Sequence, residues 1–445
     1  MSTENKYAVI GAGPSGLAGA RNLDLAGIEF DGFESHDDVG GLWDIDNPHS
    51  TVYESAHLIS SKSTTAFTEF PMADSVADYP SHVELAAYFR DYADAHDLRK
   101  KFSFGTTVVD VTPTGSIWTV TTRSRDGETT SAAYRGVIIA NGTLSKPNMP
   151  TFPGEFSGEL LHTSEYRSAE IFRGKRVLVI GAGNSGCDIA VDAVHYADSV
   201  DLSVRRGYYF VPKYLFGRPS DTLNQGKPLP PWIKQRLDTL VLKQFTGDPV
   251  RFGFPAPDYK IYESHPVVNS LILHHVGHGD VRVRADIDGF DGDSVHFVDG
   301  SVSDYDLVLC ATGYHLDYPF IARKHLDWAG AAPDLFLNVA SRRHDTLFVL
   351  GMVEASGLGW QGRFEQAEMV AKLIKARTDA PAAAREFDAA AAGPPPDLSG
   401  GYRYLTLGRM AYYVNKDAYR AEIKRHIALL DSALTKDAVL TKGGQ

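Results

Sequence analysis

The sequence predicts an α/β fold made of two Rossmann-like units, the second inserted into the first. Three observations carry this. Residues 7–10 (Tyr-Ala-Val-Ile) form a short apolar run that ends at once in a Gly-rich loop and a helical segment. Residues 176–180 (Arg-Val-Leu-Val-Ile) do the same further along the chain. Between and after them, 136–142, 306–313 and 346–351 are further short β-branched runs stopped by glycine. Such runs read as buried parallel strands, and helical patterns between several of them complete a doubly wound arrangement.

The first loop is Gly11-Ala-Gly13-Pro14-Ser15-Gly16, with a helix from Leu17 onward. In a loop of this kind the first glycine allows the tight turn, the second lets the backbone approach a pyrophosphate, and the third lets helix and strand pack closely. The helix N-terminus adds N–H donors and a positive dipole end. Eighteen residues after Gly16, at the end of a second strand (29–33), Glu34 is placed to accept hydrogen bonds from ribose hydroxyls. The second loop, Gly181-Ala-Gly183-Asn184-Ser185-Gly186, repeats the pattern, with Asp188 on its helix. Its second strand (200–204) ends in Arg205-Arg206, and no carboxylate holds the ribose position. A guanidinium there suits a 2′-phosphate, which selects NADP(H) over NAD(H). Two such folds in one chain imply two dinucleotides, FAD in the first and a nicotinamide in the second, with hydride passing between them.

Residues 215–270 are rich in Pro, Gly and aromatics and read as loops and short helices. A strand follows at 281–284, residues 380–400 read as a helix ending in a surface linker, and the Tyr-rich tail 402–431 turns helical and packs back on the body. The expected division is 1–167 for the FAD-binding unit, 168–305 for the inserted NADP-binding unit, and 306–445 for the return and tail.

Length and composition agree. At roughly 100–200 residues per domain, 445 residues allow two to four domains. The formal charge of −12 gives no ground for nucleic-acid or acidic-membrane binding. No apolar run reaches the roughly 18 residues needed to span a bilayer, and the first residues lack a signal-peptide apolar region. The 2 cysteines, Cys187 and Cys310, exclude a disulfide scaffold and a CxxC pair and favour a reducing compartment. His274-His275 and His278 lack partners that would complete a metal set and read as a loop before a strand. No metal is expected.

Between the two loops lies Phe156-x-Gly158-x-x-x-His162-x-x-x-Tyr166-Arg167. This resembles the FxGxxxHxxxY signature of the flavin-containing monooxygenases, relatives of the Baeyer–Villiger enzymes. Gly40-Gly41-Leu42-Trp43, the stretch from Ser61-Lys62 to Phe70-Pro71, Ala140-Asn-Gly142, Ala311-Thr-Gly313 and Gly351 are similar to further stretches of that family. The resemblance covers roughly residues 5 to 375. It implies that NADPH reduces FAD, that O2 then gives a C4a-(hydro)peroxyflavin, and that a small amine or sulfide takes the distal oxygen. It also implies flavin contacts at Gly41, Leu42, Trp43 and Ser61.

One position departs from the family. Three residues before Lys62, where the family carries an Asn, this chain has Ile59. Ser60, Ser61 or the backbone takes that role, or the reactivity differs, and no catalytic side chain is assigned. The alternatives are a Baeyer–Villiger monooxygenase, disfavoured by Tyr166-Arg167 where those enzymes carry Trp-Pro, and an NADPH oxidase-like flavoprotein that releases hydrogen peroxide. A flavin disulfide reductase lacks its cysteines, and the aromatic stretch 208–270 argues against a sensor without turnover. His162 reads as an organiser of the linker. Tyr166 and Arg167 touch the nicotinamide nucleotide or cap the linker, Trp43 packs at the flavin or in the core, and Gln361 bonds the isoalloxazine edge or solvent. The expected setting is cytoplasmic, without a membrane anchor, and a homodimer is left open.

Overall fold

Tyr7–Ile10 are four consecutive buried residues, as a strand covered on both faces requires. In the computed structural model, which describes residues 3–224 and 228–442, this strand lies inside a seven-stranded sheet. It pairs in parallel with Phe30–Phe33 on one side and Gly136–Ile139 on the other. Phe102–Ser103 and Leu347–Val349 extend the sheet in parallel beyond these, and Ala340–Ser341 and Leu335–Phe336 finish one edge antiparallel.

The second sheet has five strands, all parallel. Arg176–Ile180 lies between Ser199–Ser203 and Leu307–Cys310, with Val281–Arg284 and Glu159–His162 outermost. The expected divisions at 168 and 306 assign Glu159–His162 and Leu307–Cys310 to the first unit; their ladders put both in the second sheet. A four-residue apolar run fits either parallel sheet equally, so its pattern carries no information about its neighbour. The chain crosses between the units at Lys146–Pro147 and Tyr314–His315. These two crossings pair with each other antiparallel, and Asn148 N donates to the Gly313 carbonyl at 2.9 Å.

Each sheet is sandwiched. One face of the first packs on the helices Pro14–Leu25 and Gly359–Asp379, with Leu17, Leu23, Met369 and Leu373 fully buried. The other face packs on an antiparallel meander, Thr106–Thr114, Ile117–Ser124 and Thr129–Tyr134, through Val111, Trp118 and Val120. The second sheet is covered by Asn184–Ala193 and Leu271–His278 on one face and by the meander Ile287–Asp291, Ser294–Phe297 and Val302–Asp304 on the other. Each fully buried Leu or Phe contributes about 1.5–3 kcal/mol. His274, His275 and His278 lie on a helix, where a loop was expected.

The tail packs back as expected: in the helix Lys416–Lys442, Tyr419 is fully buried and its hydroxyl donates to the Leu337 carbonyl at 2.9 Å. The stretch 208–270 differs from expectation in holding a 15-residue helix, Pro231–Phe245. Only Gln235 and Leu242 of that helix are buried while Trp232, Leu237, Leu240 and Phe245 are exposed, so it shows no apolar stripe for a periodicity to report. Among the described residues no helix is long and apolar enough to cross a membrane.

Candidate functional site

Both glycine loops sit where a central parallel strand meets a helix. Gly11 and Gly181 take φ of 102° and 101°, which the tight turn demands and side chains resist. A Cβ on Gly16 or Gly186 would stand 1.8 or 1.9 Å from the carbonyl of Gly11 or Gly181, so close helix–strand packing requires glycine there. Gly13 and Gly183 differ. Their φ values, −72° and −73°, suit any residue. A Cβ on Gly183 would meet nothing within 4 Å, and one on Gly13 nothing nearer than Gly41 Cα at 3.5 Å. The protein itself has no need of glycine at these two positions; a phosphate pressed against the backbone would have. The helices they begin have no side-chain cap, which leaves their first N–H groups for an anion. The residues present therefore fit two dinucleotides.

Pro14 is the first residue of its helix, and the buried Ser15 follows. Glu34 is buried beside the loop. Its Oε2 accepts from Ala12 N at 2.6 Å, and its Oε1 from His36 N at 2.9 Å and Ser35 Oγ at 3.2 Å. Gly41 (φ 59°) brings the Gly40–Trp43 turn onto the loop, its Cβ position 3.0 Å from Gly13 Cα. Leu42 and Trp43 pack on the core of the second unit, and Trp43 also meets Trp360 edge to face at 6.2 Å. At the matching end of the second unit, Arg205 is exposed and Arg206 half-buried, and neither forms an ion pair among the described residues.

The linker signature is structural in its contacts. Ser164 N donates to His162 Nδ1 at 3.1 Å, so the other nitrogen carries the proton and donates to the Gly313 carbonyl at 3.0 Å. Burial lowers the His162 pKa and keeps that neutral form. Arg167 caps the linker: it donates to the carbonyls of Ser164 and Ser50, each at 2.8 Å. Tyr166 stacks on Phe172 and donates to Asp192 at 2.9 Å.

The expected site residues bond within their own units except Asp188 and Ser61, which tie the two together. Asn184 Oδ1 accepts from Val268 N at 2.7 Å, and Ser185 is exposed at the helix start. Asp188 accepts from Asn269 and from Tyr53 OH, the latter at 3.3 Å, and burial raises its pKa. One turn on, Asp192 accepts from Ser55 and Tyr166, and burial raises its pKa too. Ile59 and Ser60 are half-buried, with Ser60 Oγ 2.7 Å from Thr65 Oγ1. Ser61 is buried, and both its N–H and its hydroxyl donate to Asp221, at 2.7 and 3.0 Å. Gln361, on the helix Gly359–Asp379, accepts from Thr68 N at 2.8 Å.

A group of ionisable residues lies beside the first loop. Gly351 lies against Ser15, whose Oγ is 2.2 Å from the Cβ position of that glycine. Three residues on is Glu354, and Arg409 and His265 approach from the tail and from the 208–270 stretch. No local motif marks them, since they come from three distant segments.

The family model described as flavin-binding monooxygenase-like matches residues 4–391. Flavin-containing monooxygenase 5 of Oryctolagus cuniculus is 33% identical over 345 residues, which cover 71% of this chain and 63% of that protein. Flavin-containing monooxygenase 3 of the same organism is 32% identical over 394 residues, 83% of this chain and 74% of that protein. Among solved structures, that of OTEMO in complex with FAD and NADP superimposes with a TM-score of 0.72 at 20% identity, covering 96% of this chain and 98% of that one, and shows the shared fold. With the family model matched over most of its length, the chain belongs to the flavin-binding monooxygenase-like oxidoreductases.

Proposed function

We propose that the protein is an NADPH- and O2-dependent FAD monooxygenase that oxygenates nitrogen or sulfur in a small molecule. The observation that carries this is the pair of uncapped glycine turns, each with a position that needs glycine only toward a ligand. In this reading the first sheet carries FAD and the second carries NADPH. Bound FAD supplies reduction by the nicotinamide and reaction with O2. Overall, substrate, O2, NADPH and one proton give the oxygenated product, NADP+ and water.

The protein's part is binding, orientation and exclusion of water. The N–H groups after Gly13 and Gly183 hold the two pyrophosphates. Glu34 takes the FAD ribose, and the free guanidinium of Arg205, with Arg206, takes the 2′-phosphate. Gly41, Leu42, Trp43, Ser61 and Gln361 line the flavin side. The Ser61–Asp221 clasp holds the 208–270 stretch down over it. Ile59 supplies no hydrogen bond to a reacting oxygen, and this observation favours hydrogen peroxide release as the second reading. The reading includes a cytoplasmic setting, and the exposed Trp232, Leu237, Leu240 and Phe245 support a homodimer.

The test is direct. The purified protein is expected to be yellow and to consume NADPH with transfer of one oxygen atom to a tertiary amine or a sulfide. A colourless protein sinks the reading. A lactone or ester from a ketone selects Baeyer–Villiger chemistry instead, and NADPH loss matched only by hydrogen peroxide selects the second reading.

A further inference from the structure

Lys213 stands where the first unit, the second unit and the 208–270 stretch meet. Its main chain is fixed from two sides: the Lys213 carbonyl accepts from Ser220 N at 2.8 Å and from the Tyr79 hydroxyl. Tyr79 is buried in the first unit, and its ring meets Tyr214 edge to face at 5.4 Å. Just before Lys213 the chain is laced to Val267. Val267 N donates to the Tyr209 carbonyl at 2.9 Å, and Val211 N to the Val267 carbonyl at 2.7 Å. Val268 and Asn269 follow, and they bond Asn184 and Asp188 on the first turns of the helix Asn184–Ala193. Lys213 is thereby held beside the helix that Gly183 begins, close to where Tyr53 of the first unit reaches Asp188.

The tip of this side chain has no anion. The Lys213 ammonium lies 5.1 Å from the centre of the Tyr79 ring and makes no hydrogen bond and no ion pair among the described residues. A ring face attracts a cation without neutralising it. Asp188 is the acid whose field Lys213 feels. That carboxyl already accepts from Asn269 at 2.5 Å and from Tyr53 at 3.3 Å, and burial raises its pKa. Asp221 accepts from Ser61 and Thr64 instead. The ammonium is half-buried, and burial lowers its pKa, so an anion brought to it would hold it charged.

The neighbouring helix calls for an anion on separate grounds. No side chain caps its start, and the protein leaves open space at the Cβ position of Gly183. A pyrophosphate takes N–H donors from a helix start and a point charge from a lysine. Arg205 and Arg206 lie elsewhere, just past the strand Ser199–Ser203, where the 2′-phosphate is expected.

We propose that Lys213 binds the pyrophosphate of the nicotinamide dinucleotide and so ties the 208–270 stretch to the bound nucleotide. The proposal rests on the dinucleotide reading of the second glycine turn and adds to it a residue from outside the fingerprint. Two tasks are then divided. Lys213 meets the bridge that NADPH and NADH share, and Arg205 meets the 2′-phosphate that NADPH alone carries.

The test is equilibrium dialysis of NADP+, NAD+ and adenosine 2′-phosphate against the flavin-loaded protein, as wild type, Lys213→Met, Lys213→Arg and Arg205→Ala. Lys213→Met is expected to weaken NADP+ and NAD+ alike by about tenfold, the worth of a charge-assisted contact. It should leave adenosine 2′-phosphate, which has no pyrophosphate, as it was. Arg205→Ala is expected to give the other pattern, with NADP+ and adenosine 2′-phosphate weakened and NAD+ unchanged. Lys213→Arg keeps the charge and is expected to bind all three nearly as the wild type does. Unchanged affinity of Lys213→Met for NADP+ and NAD+ overturns the proposal. Equal weakening of all three ligands also overturns it, since that marks a disturbed fold. If the wild type binds none of the three, the dinucleotide reading of the second turn fails and the proposal falls with it. The expected binding pattern in a protein that oxygenates nothing supports the role of Lys213 while the monooxygenase reading falls alone.

Discussion

Asp221 accepts two hydrogen bonds from Ser61, from its N–H at 2.7 Å and its hydroxyl at 3.0 Å, across 160 residues of sequence. The same carboxylate oxygen also accepts from Thr64 Oγ1. One short 3-10 helix, Ser220–Asn224, thus anchors the 208–270 stretch on Ser61 and Thr64 of the first unit. Asp221→Ala removes every acceptor of this clasp at once. The expected result is more hydrogen peroxide released per NADPH oxidised, read by a peroxidase-coupled assay, with faster proteolytic nicking within 208–270. Unchanged coupling would show that the clasp does not exclude water.

The two kinds of fingerprint glycine are expected to fail differently. Gly13→Val and Gly183→Val meet no protein atom nearer than 3.5 Å at Cβ, so the fold survives while the first loses flavin and the second loses affinity for NADPH. Gly16→Val places Cβ 1.8 Å from the Gly11 carbonyl and is expected to yield insoluble protein. Circular dichroism and the flavin absorbance of the soluble variants separate the cases. A yellow Gly13→Val protein contradicts the pyrophosphate assignment.

Arg205→Ala is expected to raise the KM for NADPH by about tenfold, the worth of a charge-assisted contact, and to leave the KM for NADH nearly as it was. Steady-state kinetics with both nucleotides measure it. Equal effects on the two would remove the 2′-phosphate from the account.

Asp192 gives a pH prediction. Burial is the leading cause of its raised pKa, and hydrogen bonds from Ser55 and Tyr166 with the fields of His195 and His57 oppose it. A carboxyl raised in the folded state favours folding most below the unfolded value of about 3.9, and that contribution is lost as pH rises through the folded pKa. Asp192→Asn keeps an acceptor for Tyr166 without the charge. Its melting temperature relative to wild type is therefore expected to be higher at pH 8 than at pH 4. The opposite trend would mean that the carboxylate is stabilised where it sits.

What the sequence discloses follows from how local each signal is. The glycine turns and Glu34 are legible because a strand, its loop and the acid after the next strand lie within 28 residues, from Tyr7 to Glu34. Arg205-Arg206 is legible for the same reason, and the organising role of His162 follows from its place in a linker. The helix Pro231–Phe245 is hidden because it packs through few residues and shows its apolar ones to solvent. Leu307–Cys310 is legible as a strand but not in its neighbours. The Glu354–Arg409–His265 group has no sequence signature at all, since its members are set side by side only when the tail folds back.

The two crossings between the units pair with each other, Tyr314 with Pro147 and His315 with Lys146, and Asn148 Nδ2 adds a bond to the Thr312 carbonyl at 3.1 Å. Two laced strands form a flat strap that flexes easily out of its plane and strongly resists twisting or sliding within it. The strap does not act alone, since the Tyr53–Asp188, Ser55–Asp192 and Ser61–Asp221 bonds also join the units, and pulling them apart breaks all of these together.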